Sequence, residues 1–218
     1  MTEKEIWQAL RDKGLTEFAT AGIMGNFQAE SAMRANNVED RCPMSDEAYT
    51  IAADNGTIDF IYDAYGYGFP QFTYWSLKRG LLDYCRARQL SVGDAQAQID
   101  YLAEVLQDKY SGTVDRLQNV TSPEEAAIIF LLEFERPANM GTSVQAYRGR
   151  LAREFYDKYA DGNTEGKVDT LKDEISNAEI SILQVLLNQH GYGLAVDGYI
   201  GTKTKSALID FVDRLNKI

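Results

Sequence analysis

The stretch LTEFATAGIMGNFQAESAM, residues 15–33, constrains this chain more than any other. Projected at about 100° per residue, the helical repeat, Leu15, Ala19, Ile23, Phe27 and Met33 share one side. Glu30 falls near the middle of that apolar stripe, one turn beyond Phe27, and Asn26 lies on the same side one turn earlier. A surface glutamate would sit opposite, with Glu17 and Gln28. The pattern predicts a helix that carries a carboxyl group into an apolar setting. Desolvation disfavours the charged form and raises a carboxyl pKa. A carboxylic acid that stays protonated near neutral pH is what a general acid needs. A structural glutamate, paired with an arginine or capping a neighbouring helix, fits the same pattern.

Other segments share the helical period. TEKEIWQALRDKG places Ile6, Trp7 and Leu10 together and ends on Gly14, a C′ glycine. Thr16 can cap the helix that carries Glu30. Residues 34–60 are rich in Asn and Asp and contain the turn signal DNG, so a long loop is expected there. An amphipathic helix follows, with Leu77, Leu81, Leu82 and Cys85 at helical spacing. DAQAQIDYLAEVLQDKY, SPEEAAIIFLLEFERP and SVQAYRGRLAREFYDKYA are three more helices. Ser122, Pro123 and Glu125 read as N-cap, N1 and N3 of a capping box. Residues 161–175 lose aromatics and gain Gly, Asp and Lys, which marks a linker. Residues 176–218 read as helix, Gly-rich turn, helix.

Composition narrows the chemistry. The 218 residues suffice for one good core, or for one domain plus a small module. No apolar run reaches membrane-spanning length, so no membrane insertion is expected. MTEKEIWQALRDKG has scattered charges and no apolar signal-peptide region, so the chain is expected to be made in the cytoplasm. A net charge of −11 argues against nucleic acid and anionic lipid as partners, but not against an uncharged glycan. The single histidine, His190, and two cysteines, Cys42 and Cys85, argue against Ser–His, Cys–His and zinc hydrolysis. Neither a metal nor another cofactor is expected, and both cysteines are expected as free thiols. Carboxylates are left to move protons.

Breaking a glycosidic bond needs a proton for the leaving oxygen and charge stabilisation at the anomeric carbon. Glu30 is the candidate donor. Asp63, Asp59, Asp54 and Glu135 are candidates for the second carboxylate, with Asp63 preferred because it directly precedes an aromatic-rich segment. Glu135 is expected instead to hold Arg148 or Arg150 in a buried pair. Tyr65, Tyr67, Phe69, Phe72, Tyr74 and Trp75 form the densest aromatic run; such rings can stack on sugar faces, although half or more must be core.

TAGIMGNFQAES, then DNG, then GYGFPQFTYWSLKRGLLDY, then FERP with QAYRGRLA resemble, in that order, the phage-type lysozyme domain of endolysins and tail-tip proteins. The order is also loosely similar to goose-type lysozymes and lytic transglycosylases. The resemblance implies a mainly α, lysozyme-like catalytic domain over residues 1–160. It implies Glu30 as catalytic acid, Ser31 as its neighbour and Gln71 as the cleft glutamine. Asn26, Tyr67 and Trp75 join Gln71 as candidate substrate contacts. Ala32 stands where glycine is common, and GFPQF where GLAQW is common.

At the C-terminus, ISILQVLLNQHGY and VDGYIGTKTKSAL resemble a small three-helix peptidoglycan-binding module. Asp197, Gly198 and Thr204 read there as turn and capping residues. The combined reading is a peptidoglycan hydrolase, a phage endolysin that cuts between N-acetylmuramic acid and N-acetylglucosamine after holin-type release. Its partner is bacterial peptidoglycan. A lytic transglycosylase using the same Glu30 and a non-catalytic wall-binding or virion structural protein are the alternatives.

Overall fold

The computed structural model describes residues 1–160 and 176–215. The chain forms two compact units, Met1–Phe155 and Tyr156–Ile218. The linker expected at 161–175 lies outside the described residues. The first unit holds α1 (Glu3–Asp12), α2 (Glu17–Ser31), α3 (Asp46–Asp54), α4 (Trp75–Arg88), α5 (Ala95–Lys109), α6 (Ser111–Gln118) and α7 (Pro123–Phe130). A π-helical turn, Leu131–Glu135, extends α7, and α8 (Thr142–Tyr159) follows, all but its last four residues within this unit. The C-terminal unit holds α9 (Asn177–Gln189) and α10 (Thr202–Leu215). Among the described residues the only β pairing is an isolated antiparallel bridge between Val38 and Tyr67, so the fold is mainly α. No helix among them is long and apolar enough to cross a membrane.

Local hydrogen bonding sets the helix ends where the sequence signals stood. Thr16 Oγ1 accepts from Ala19 N at 3.2 Å, and Gly14 takes φ +82° just past α1. Ser122 Oγ accepts from Glu125 N, but the Glu125 carboxylate reaches one residue further back, to Thr121 N at 2.9 Å. The expected capping box is therefore half formed. The loop expected at 34–60 is interrupted by α3, capped by Ser45, which buries Tyr49, Ala52 and Ala53. A nine-residue helix is marginal in isolation, and here packing decides it. The short α6 likewise had no clear signal in the sequence.

The one-sided stripe expected on α2 is corrected by the structure. Every residue from Ala19 to Phe27 is buried, so α2 is the central helix, enclosed on all sides. Its small residues explain how. A Cβ on Gly22 would stand 2.5 Å from Ala126 Cβ and 2.6 Å from Ala127 N of α7. A Cβ on Gly25 would stand 2.6 Å from Ala152 N of α8. Both partner backbones thus lie directly against α2. Asn26 Nδ2 donates to Gly22 O at 2.9 Å and to Ala127 O at 3.0 Å, bonding α2 to α7.

In the C-terminal unit, Ile180, Leu187, Ile200, Ala207 and Leu208 form a small core. Gln184, buried within it, organises the turn. Its Nε2 donates to Asp197, Tyr199 O and Thr204, and its Oε1 accepts from Asp197 N and Gly198 N. Asp197 in turn accepts from Tyr199 N at 3.0 Å. Gly198 takes φ +70°, and a Cβ there would meet Asn177 O at 2.7 Å. The DGYIG run is accordingly a structural turn, with Gln184 as the member that pattern alone did not reveal.

Candidate active site

Glu30 sits in the last turn of α2. Ala32 and Met33 follow at φ +50° and +60°, so the chain turns sharply away and leaves Glu30 at a rim. Its side chain is 22% exposed and pairs with Arg148 of α8. Arg148 is itself buried, and its second amino group donates to Asn26 O at 2.8 Å. One guanidinium thereby ties the end of α2 to α8 and fixes the direction of the Glu30 carboxyl. Ser31 Oγ donates to Phe27 O at 2.9 Å, a role inside the helix. The setting is less apolar than the helical projection implied, because an arginine from 118 residues away supplies a charge partner.

Glu30 and Glu135 line one cavity of about 660 Å³, together with Asn37, Gly66, Gln71 and Arg136. Glu135 closes the π-helical turn, a geometry that recurs at functional sites. Its two carboxyl oxygens are shut from solvent and have no hydrogen-bond partner among the described residues. Burial pushes its pKa up to about 8; the charge of Glu30 pushes the same way, and Arg148 opposes both. The expected pair of Glu135 with Arg148 or Arg150 is not formed: Arg148 holds Glu30, and Arg150 holds Glu154 on its own helix.

Gln71, with φ +49°, lines the same cleft. Its amide nitrogen is engaged by Asn37 O, Asn37 Oδ1 and Gly68 O at 3.0–3.2 Å. Beneath it, buried Gln98 accepts from Phe69 N and donates to Ala35 O and Val92 O. A Cβ on Gly66 would lie 2.7 Å from Gln71 Oε1, and one on Gly68 would lie 2.4 Å from Gln98 Oε1. The GYG segment is thus glycine because two glutamine side chains occupy the space.

The other expected site residues divide. Asn26 is fully buried between α2 and α7 and cannot meet a substrate. Tyr67 is fully buried too; its ring packs on Tyr49 and Phe60, and its hydroxyl bonds Thr50 at 2.6 Å. Asp63 takes Lys78 as ion partner and accepts from Tyr49 Oη at 2.6 Å. Asp54 accepts from Ser91 and Val92 N, and Asp59 from Tyr62 N. None of these three aspartates is among the residues that line the Glu30 cleft, whose carboxyls are Glu30, Glu39, Asp40 and Glu135. Glu39 is held well below the usual carboxylate range, first by its bond from Arg41. Trp75 is 45% exposed and lines a second cavity of about 610 Å³, which shares Pro70, Gln71, Thr73, Glu135 and Arg136 with the first. Among the described residues no cluster of His, Cys, Asp and Glu could hold a metal ion.

Comparison with curated proteins returns no match. Residues 1–159 match the family model described as phage tail lysozyme. This match takes in the helical first unit and every residue of the Glu30–Glu135 cleft. The chain therefore belongs to the phage tail lysozyme family, a peptidoglycan-lytic kind of enzyme.

Proposed function

We propose that this protein hydrolyses the glycan strand of peptidoglycan between N-acetylmuramic acid and N-acetylglucosamine, with Glu30 as the group that protonates the leaving oxygen. The observation that carries the proposal is a pair of carboxyls, Glu30 and Glu135, on one cleft in unlike environments. Glu30 reaches open space and is oriented by Arg148, whereas the Glu135 carboxyl is enclosed and has no hydrogen-bond partner among the described residues. Burial keeps a proton on the pair through neutral pH, and Glu30 is the member from which it is delivered to the leaving oxygen. The exposed member is the one that can meet a glycosidic oxygen; the buried one sustains the proton count of the pair. Asp63, first given the place of the second carboxylate, has its charge already committed to Lys78, and Glu135 stands in the cleft as the reservoir of the pair's proton.

Glu30→Gln keeps shape and removes the transferable proton. It should reduce wall lysis at least ~100-fold with an unchanged melting profile, because general acid catalysis contributes that much or more. Activity within tenfold of the parent would reject Glu30 as the acid.

A second reading is lytic transglycosylation. It is favoured by the absence of the loop aspartates from the cleft and by the enclosed, protonated state of Glu135, since that reaction can run with one acid and no added water. Mass spectrometry of fragments from purified peptidoglycan separates the two: hydrolysis leaves a reducing end, and transglycosylation leaves an anhydro end lighter by one water. The C-terminal unit is proposed to hold the enzyme on the wall, supported by the resemblance of its VDGYIGTKTKSAL segment to wall-binding modules.

A further inference from the structure

We propose that Tyr62, Tyr74 and Trp75 form an outlying sugar subsite that grips N-acetylhexosamine units of a long glycan strand beyond the bond being cut. The proposal rests on the reading that the Glu30 cleft cleaves glycan.

The three rings break the burial pattern of their neighbours. Tyr67, Phe69 and Phe72 are all within 2% of complete burial, whereas Tyr62, Tyr74 and Trp75 are 62%, 63% and 45% exposed. The exposed rings are nevertheless ordered against one another. Tyr62 and Trp75 stack with centroids 6.2 Å apart and planes 25° apart, and Tyr74 stands 6.0 Å from Trp75. Arg79, one turn along α4, donates to Tyr62 Oη at 2.8 Å and lies 5.7 Å from the ring centroid. Tyr62, the member that comes from the loop, is therefore held at the head of α4.

A contiguous exposed aromatic patch marks a binding surface. Its position says which one. Tyr74 and Trp75 line the 610 Å³ cavity, which runs into the Glu30 cavity through Pro70, Gln71 and Thr73. A strand lying along the cleft would continue onto these rings. The chemistry fits a pyranose: its C–H face packs on an aromatic face, and its hydroxyls stay in water. That contact needs no positive charge, which suits a chain of net charge −11. Rigid rings also lose little conformational freedom on binding.

The experiment compares kcat/KM on long glycan strands with kcat/KM on fragments of two disaccharides, for the parent, Trp75→Ala, Tyr62→Ala and Trp75→Phe. The ratio of long to short should fall about tenfold in each alanine variant, equivalent to about 1.4 kcal/mol, mainly through KM on long strands. Trp75→Phe, which keeps an aromatic face, should retain most of the ratio. Equal loss on both substrates, or an unchanged ratio, overturns the subsite. Binding of long strands is measured in parallel in the Glu30→Gln background. There Trp75→Ala must weaken affinity, whatever the parent's product proves to be. If the parent cuts no glycan but that weakening is seen, the cleavage reading fails and the subsite stands; if the weakening is absent, the subsite fails.

Discussion

A buried carboxyl group with no hydrogen-bond partner among the described residues is the sharpest residue-scale feature of this molecule. Burying Glu135 raises its pKa from the ordinary 4.5 to about 8. Between those values the folded chain holds a proton that the unfolded chain has released, so this group makes stability fall as pH rises through the window. The favourable contribution is complete below pH 4.5 and lost above about pH 8. Glu135→Gln cannot ionise. It should be more stable than the parent at pH 8.5, by about 4–5 kcal/mol, and the difference should close toward pH 4.5. Melting curves across that range test it, and a gap that stays constant with pH would show that Glu135 does not titrate as assigned. Activity should move the other way, with the Gln variant impaired throughout. Ala32 gives a second residue-scale prediction. It occupies a left-handed conformation at φ +50°, where an L side chain is strained. Ala32→Gly should raise stability by up to about 1 kcal/mol, read as a higher denaturation midpoint, with Glu30 left in place.

At the scale of elements, α2 shows two rules in conflict. Helix propensity alone says that Gly22→Ala should stabilise, by about 1 kcal/mol. The contact geometry says otherwise, since the new Cβ would lie 2.5 Å from Ala126 Cβ and 2.6 Å from a backbone nitrogen. Neither neighbour is the end of a flexible side chain, so α7 must move off α2. Overpacking of this kind destabilises by about 1–3 kcal/mol, and it should win. Urea denaturation should show a lower midpoint at unchanged slope; a raised midpoint would mean that α2 and α7 are less closely packed than described. The same displacement would carry Glu135 away from Glu30, because the π-helical turn continues α7. The helix pair that builds the core thus also sets the spacing of the cleft carboxyls.

For the whole molecule, each unit has its own apolar core. A chain ending at residue 160 should therefore fold and still cut soluble glycan fragments. It should clear intact walls at least ~10-fold more slowly than the full chain, because a second attachment makes re-engagement of a polymer intramolecular. Wall clearing at the full-length rate would remove the anchoring role from the C-terminal unit.

The sequence by itself determined the helical class, the caps at Thr16 and Ser122, the stop at Gly14 and the placing of Glu30 on a helix. These depend on hydrogen bonds and side-chain periods within a few residues, so short windows contain the whole cause. Only the tertiary structure decided that Arg148 pairs with Glu30 and leaves Glu135 bare, that Asp63 is spent on Lys78, and that Tyr67 is core while Trp75 is open. Those outcomes are choices among chemically equivalent partners scattered along the chain. Periodicity reports which residues want burial. It is the close approach of α2, α7 and α8, made possible by Gly22 and Gly25, that selects which buried group finds a partner and which is left to face the cleft without one.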